Sequence, residues 1–220
     1  MITTNQIDQL DSMYPAVNFM LAAGDRPLLG DHLKWSSVYG YSFGRNAITV
    51  RGRRHELSSG QYFSLFVGAP LPAIECSSKM FLVFRLGYKC QDSLGWVEPQ
   101  GRLSYIDGCT DSLLIYPPRL GDPSLNLLYF PPGIEQTRHL HPSIRIGCVI
   151  EGSGISDVWE NGEIVSRSLE AGTNFCLEEN ELHRFRTDDS SMVVVAWHPD
   201  GDWGPTDHNH TMLNRTYIKK

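Results

Sequence analysis

Residues 130–154 read FPPGIEQTRHLHPSIRIGCVIEGSG, and this stretch decides how the rest of the chain is interpreted. It opens with a Pro-Pro-Gly turn and continues into a run rich in β-branched residues, a pattern typical of a turn that leads into a strand. His139 and His141 lie two positions apart, and in extended backbone such positions face the same side. Two neutral imidazoles at that spacing can bind one cation, so the stretch predicts a metal site.

His183 is the candidate for a third ligand. It lies in the sequence LEENELHRF of residues 177–185, after a turn at Gly172 that predicts the start of another strand. The alternative is that these histidines are exposed strand residues that share no ligand. Three histidines from two separate segments favour the metal site, because imidazole nitrogen is a common ligand of divalent metals.

The remainder of the chain predicts an all-β protein. After residue 23, short runs rich in Val, Ile, Phe and Tyr alternate with Gly, Pro, Asp and Asn about every eight to twelve residues, which is typical of an antiparallel sandwich or barrel. Residues 1–23 are the best helical candidate, because Ile7, Leu10 and Met13 would share one helix face before Pro15. We therefore expect a short N-terminal helical segment followed by strands.

A weak internal echo suggests that the β unit is duplicated. LSSGQYFSL at residues 57–65 matches LEAGTNFCL at residues 169–177 in Leu, Gly, Phe and Leu, 112 residues apart. A turn-rich stretch around Tyr116 is the natural join between two halves. The predicted organisation is an N-terminal helical segment at 1–23, a β domain at 24–120, and a metal-binding domain with a C-terminal tail at 121–220.

These residues resemble the cupins, whose first motif is G-x5-H-x-H-x3,4-E-x6-G. Gly133, His139, His141 and Gly152 stand at its intervals, and His183 follows Gly172 in the place of the second motif's histidine, at a longer interval. The resemblance covers about residues 125–200. It implies a double-stranded β-helix, or jelly-roll barrel, and with the echo a bicupin whose N-terminal half is degenerate. By the 112-residue offset the N-terminal equivalent of His183 is Leu71, which cannot bind a metal.

The sequence departs from the motif at its glutamate, which is Arg145 here. A guanidinium has no lone pair to offer a metal, so the resemblance implies a three-histidine site. Arg145 shares the strand parity of the two histidines and is predicted to clamp a substrate carboxylate. The alternative is a structural ion pair with a buried or rim carboxylate such as Glu151 or Glu135.

Two further histidine-containing segments leave alternatives open. His198 ends the hydrophobic run MVVVAWH and is either a residue of the barrel rim or a catalytic or supporting group beside the metal. The segment Asp207–His210 (DHNH) looks like a metal motif, but it lies in a loop rich in Pro, Gly and Asp, which favours a solvated loop.

The resemblance implies a metal-dependent enzyme, and an Fe(II) dioxygenase acting on a small organic acid is the first hypothesis. Zn, Mn or Ni in the same site would instead support a lyase or isomerase, because the Irving–Williams order does not select iron. A binding or sensor module without turnover is the rival from another class. The sequence does not decide whether the protein is an enzyme.

Composition limits the remaining functions. A net charge of -6 argues against nucleic acid, and no apolar run is long enough to span a membrane. The N-terminus lacks the features of a signal peptide, and five scattered cysteines suit free thiols in the cytoplasm. The expected partner is a small anionic substrate. A homodimer is expected from the family resemblance.

Overall fold

The computed structural model describes residues 1–202 together with residues 206, 208 and 217. Within these residues the chain is all-β, as the sequence predicts, apart from two single-turn 3-10 helices at Asp31–Leu33 and Ile106–Gly108. No helix there has the length and apolar character needed to cross a bilayer. The strands are β1 (Ile2–Thr3), β2 (Gln6–Gln9), β3 (Ala16–Leu21), β4 (Ser37–Ser42), β5 (Asn46–Val50), β6 (Arg53–Leu57), β7 (Gln61–Phe66), β8 (Ala73–Cys76), β9 (Met80–Arg85), β10 (Ser93–Trp96), β11 (Leu103–Ser104), β12 (Thr110–Ile115), β13 (Ser124–Phe130), β14 (Arg145–Glu160), β15 (Glu163–Glu170), β16 (Asn174–Leu177), β17 (His183–Arg186) and β18 (Met192–His198).

The predicted helix within residues 1–23 is wrong, because this segment forms the three strands β1, β2 and β3. Ile7 is buried, whereas Leu10 and Met13 are exposed, so the three residues do not form one buried face. All six residues of β3 are buried, and the strand pairs along its length with β9. That pairing joins residues about 60 positions apart, and such non-local contacts override a short local periodicity.

The N-terminal half consists of two facing sheets. One has the order β10-β7-β4-β9-β3-β2, and the other has the order β6-β5-β8. Apolar side chains from both sheets fill the space between them; Ile48, Phe63 and Leu82 are fully buried there. The interior of this half is therefore a packed hydrophobic core.

The long strand β14 organises the C-terminal half. Its first part pairs with β16 and β18, and its second part pairs with β15 and β17. The register shifts between Val149 and Glu151, and Gly152 follows with φ +70. A β-bulge followed by a glycine bends a strand, so β14 passes here from one face of the barrel to the other.

The two halves share one pairing order. In the N-terminal half β4 pairs with β7 and β9, and β5 pairs with β6 and β8. In the C-terminal half the first part of β14 corresponds to β4 and pairs with β16 and β18. The second part of β14 corresponds to β5 and pairs with β15 and β17. Ala73 begins β8 opposite Thr49, as His183 begins β17 opposite Val158. Ala73 is exposed, however, whereas His183 is buried, so the two side chains face opposite sides of their strands. Leu71 precedes β8, and its equivalence to His183 stays a prediction. Neither alanine nor leucine can bind a metal.

One edge strand of the C-terminal sheet comes from the start of the chain. β1, at the start of the chain, pairs with β16 of the C-terminal half, and β10 pairs with β7 of the N-terminal half. β11 and β12 precede the predicted boundary at residue 120 but belong to the C-terminal sheet through the pairing of β12 with β13. The domain limits themselves stay a prediction.

A mixed hydrophobic core joins the two halves, and Tyr39 lies 6.2 Å from Trp197 between ring centroids in it. β18 supplies this junction with Val193, Val195 and Trp197, while Met192 and Val194 point into the C-terminal barrel. This alternation places the next inward position of β18 at His198.

Candidate metal centre

A segment of extended chain brings His139 against β17. Gly133 turns the chain with φ +73, and His139 then forms an antiparallel bridge with His183. The amide of His139 donates to the carbonyl of His183 at 2.8 Å, and the amide of His183 donates back at 2.9 Å. The main chain thus holds these two residues opposite each other.

The three predicted ligands meet at this bridge. The ring centroids of His139, His141 and His183 are separated by 4.5 to 5.1 Å. Each offers a ring nitrogen, and the three nitrogens lie within 4.8 Å of one another. His139 and His141 face the same side, as their spacing predicts, while Leu140 between them is exposed.

Backbone carbonyls orient two of the imidazoles. Nδ1 of His139 lies 2.8 Å from the carbonyl oxygen of Thr137, and Nδ1 of His183 lies 2.8 Å from that of Glu181. A neutral ring that donates from Nδ1 keeps its lone pair on Nε2. Nε2 of His183 is buried and has no hydrogen-bond partner. A buried orphaned acceptor surrounded by other imidazoles is what a divalent cation requires, so the residues present fit a metal.

The surroundings keep the histidines neutral. Burial, followed by the charge of Arg145, lowers the pKa of His141 to about 3. Burial, followed by the neighbouring His139, lowers the pKa of His183 to about 3. Neutral imidazole is the form that binds metals, so these two residues need not lose a proton at neutral pH.

His139 and His141 open onto a cavity of about 260 Å³ inside the C-terminal barrel. Its apolar wall comes from the inner faces of the strands, including Phe130, Phe175 and Phe185. A wider mouth of about 720 Å³ continues outward and shares His141, Arg145 and other residues with it. The inner space is smaller than a drug-sized pocket, which limits the ligand to a small molecule.

Arg145 lines both the inner cavity and its mouth. Its Nη1 donates to the carbonyls of Ser143 and Ile144 at 3.1 and 3.0 Å, and lies 3.7 Å from Oδ1 of Asp200. Nε is buried without a partner. Arg145 thus has an ion-pair partner, as the alternative expects, but the carboxylate is Asp200 and not the suggested Glu135, which pairs with Arg184. Because the two residues are far apart in the sequence, no local pattern predicts this ion pair.

His198 lines the same inner cavity. Its position follows from the alternation of β18, in which Ala196 also faces inward. Burial, together with the charges of Arg145 and His141, holds the pKa of His198 well below its ordinary value. Of the segment Asp207–His210 only His208 is described, and it is exposed; the rest of that motif lies outside the described residues.

Two polar residues of the cavity escaped sequence reasoning. Asp111 on β12 and Asn126 on β13 line it, and Nδ2 of Asn126 donates to Oδ2 of Asp111 at 2.9 Å. The signal was present in the sequence, since each is the single carboxylate or amide residue of its strand (TDSLLI and SLNLLYF). Such residues are either edge positions or lining of a polar site, and their strand pairing decides which.

Comparison with known proteins identifies the fold. No family model matches the chain, and no curated protein matches it either. Among solved structures, the chain is similar to a Cupin 2 conserved barrel domain protein from Leptotrichia buccalis, with a TM-score of 0.60 and 16% identity over 90% of this chain and 89% of that chain. It is also similar to protein Ylba from E. coli, with a TM-score of 0.61 and 16% identity over 94% and 88%.

A third similar structure is the oxalate decarboxylase of Bacillus subtilis, which has Mn(II) centres. The TM-score is 0.56, and the 15% identity extends over 91% of this chain and 73% of that chain. At these identities the likeness defines the fold alone. The chain therefore has the cupin fold, with a cluster of three histidines inside its C-terminal barrel.

Proposed function

We propose that this protein is a metal-dependent cupin enzyme, an Fe(II) dioxygenase that acts on a small organic acid. The observation that carries the proposal is the convergence of three ring nitrogens within 4.8 Å, one of them a buried acceptor without a partner. His139, His141 and His183 would hold the metal. Three neutral ligands leave the ion its full charge and open positions for substrate and dioxygen.

The chain's own groups would select and orient the acid. Nη1 of Arg145 donates to the backbone carbonyls of Ser143 and Ile144, so the other N–H groups of its guanidinium are available to a carboxylate. The aromatic wall excludes water, which strengthens that interaction. His198, whose pKa is held well below its ordinary value by burial and by the charges of Arg145 and His141, would support the bound acid as a neutral imidazole through a hydrogen bond in this proposal.

The N-terminal half serves as a structural partner in this proposal. We regard it as a duplicated, degenerate cupin barrel, supported by the identical pairing order of the two halves. A packed apolar core occupies its interior. The bicupin arrangement, a homodimer and a cytoplasmic location complete the proposal.

A second candidate is a lyase or isomerase that uses Mn, Zn or Ni as a Lewis acid. The similarity to a decarboxylase with Mn(II) centres favours it. It needs the same three histidines and the same acid-binding Arg145, but it does not consume dioxygen.

Oxygen consumption separates the two candidates. The purified protein, loaded with Fe(II) and separately with Mn(II), is given a panel of small carboxylic acids in a closed oxygen-electrode cell. The dioxygenase proposal predicts acid-dependent oxygen uptake with Fe(II) that is lost in His141→Ala and kept in His32→Ala, an exposed histidine of the other half. Product formation without oxygen uptake would contradict it and support the second candidate.

A further inference from the structure

Asp111 lines the cavity, and no positively charged side chain of the described residues forms an ion pair with it. One carboxylate oxygen accepts the hydrogen bond from Asn126. Burial raises the pKa of this carboxyl, and the Asn126 hydrogen bond offsets only part of that rise. A carboxylate removed from water in apolar surroundings is costly unless a donor compensates it. Among the described residues, the Asn126 side chain is such a donor to Oδ2 of Asp111, and Oδ1 remains available to a ligand in the cavity.

Arg145 gives the same cavity the opposite character. Arg145 offers positively charged hydrogen-bond donors, and Asp111 offers a negatively charged acceptor. The other walls of the cavity are largely apolar. Tyr105 also lines the cavity and interacts electrostatically with Arg145 and Asp111. A cavity that presents one charged donor and one charged acceptor recognises a ligand with one acceptor group and one donor group.

We infer that the ligand of this site is a small acid that also carries a hydrogen-bond donor, a hydroxyl or a protonated amine, with Arg145 binding its carboxylate and Asp111 binding its donor. The inference rests on the proposed function, because it assumes that a small acid enters this cavity. Asp111 is then a specificity-determining residue, since an acid without the donor leaves its carboxylate uncompensated.

A purely structural role makes a different prediction. If Asp111 served only to fix Asn126 and so join β12 to β13, its replacement would lower stability without changing which acids bind. The choice between ligands is therefore the informative readout, and stability alone is not.

The test compares acids of matched size on the full-length protein with its metal bound, by calorimetric titration without oxygen. The probes are propanoate, 2-hydroxypropanoate, 3-hydroxypropanoate, alanine and β-alanine, which vary the donor and its distance from the carboxylate. We expect at least one donor-bearing acid to bind about tenfold or more tightly than propanoate. Asp111→Asn, a near-isosteric change, should reduce this preference to about twofold or less, because the neutral amide has no charge that a ligand donor must compensate. Asp189→Asn, which removes an exposed charge outside the cavity, should retain the preference.

The other outcomes are equally decisive. Equal binding of propanoate and all donor-bearing acids would overturn the inference; if that binding still depends on Arg145, the proposed function stands. A preference that survives in Asp111→Asn would overturn the role of Asp111. If no acid binds the metal-loaded protein, both the inference and the proposed acid substrate fail. The wild-type comparison needs no variant, so it remains decisive even if Asp111→Asn folds poorly.

Discussion

His139 and His183 form a hydrogen-bonded antiparallel pair, with each backbone amide donating to the carbonyl of the other. The separation of their rings, 4.5 Å between centroids, is therefore set by the main chain. Their Nδ1 atoms are held by carbonyls two residues earlier in the chain, at Thr137 and Glu181. A site fixed at both the backbone and the ring needs little reorganisation to receive a metal.

Arg145 is predicted to control acid binding without affecting the metal. Arg145→Ala should weaken the binding of a small carboxylate by about 10- to 100-fold, because a charge-assisted hydrogen bond contributes about 1.5–3 kcal/mol. Arg145→Lys should recover only part of this, since an ammonium cannot bind a carboxylate through a planar fork. Titration calorimetry measures both, and metal content should match that of the wild type. Unchanged acid binding in Arg145→Ala would remove the clamp from the account.

Asp200 is predicted to compete with the ligand for Arg145. Its Oδ1 lies 3.7 Å from Nη1, and the two side chains are 25% and 12% exposed. Asp200→Asn should tighten carboxylate binding roughly fivefold, since a partly exposed ion pair contributes about 1 kcal/mol. It should also lower the melting temperature of the ligand-free protein, and added acid should restore it.

A matched control for Asp200→Asn is Asp189→Asn, which removes an exposed charge outside the cavity. It should change neither acid binding nor the response of the melting temperature to acid. Weaker acid binding in Asp200→Asn would show that the carboxylate assists the ligand instead of competing with it.

Asp157 is predicted to stabilise the strand that carries His183. It is 2% exposed and accepts hydrogen bonds from Ser166, Arg184 and Arg186. Burial acts to raise its pKa, but these three hydrogen bonds outweigh it, and the pKa lies below the ordinary 3.8. Because both arginines are partly exposed, Asp157→Asn should lower the free energy of unfolding by about 2 kcal/mol at pH 7.

The pH dependence of that difference has a defined sign. A carboxyl whose pKa is lowered in the folded state contributes its full stability above the unfolded value of 3.8 and loses it as the pH falls through the folded value. The gap between wild type and Asp157→Asn in urea unfolding should thus stay constant from about pH 7 to pH 5 and narrow below pH 4. A gap that is unchanged below pH 4 would refute this assignment.

Gly152 and Gly133 provide a matched pair of glycines with positive φ. A Cβ on Gly152 would lie 1.9 Å from the carbonyl oxygen of Ser191, whereas a Cβ on Gly133 meets nothing within 4 Å. Gly133→Ala should lower the free energy of unfolding by about 1 kcal/mol, because alanine is strained in the left-handed conformation. Gly152→Ala should lower it by at least about 3 kcal/mol, because the clash with Ser191 adds to that strain. Urea unfolding measures both. Equal costs would mean that β14 and β18 adjust around the bulge.

Local sequence pattern was sufficient for the features that depend on strand geometry. The two-residue period placed His139 and His141 on one side, and the β-rich, turn-punctuated pattern gave an all-β chain. The 112-residue echo corresponds to strands that pair alike in both halves, with Leu57 and Leu169 in equivalent strands.

Features created by long-range pairing could not be predicted in this way. The strand β3 looks like a helix until its partner β9 is known, and Asp111 looks like an ordinary polar residue until β12 joins the barrel. Asp200 pairs with Arg145 across 55 positions, and no local pattern records that contact. Register between strands distant in sequence is set by the whole core, so one sequence leaves it open.

The metal content of the purified protein tests the central claim most directly. Elemental analysis of wild type, His183→Ala and the exposed-site control His32→Ala should be combined with a measurement of folding by circular dichroism. The account predicts about one transition-metal ion per chain in wild type and in His32→Ala, and a loss of most of that metal in folded His183→Ala. Metal far below one equivalent in wild type after reconstitution, or the same metal content in His183→Ala, would contradict it.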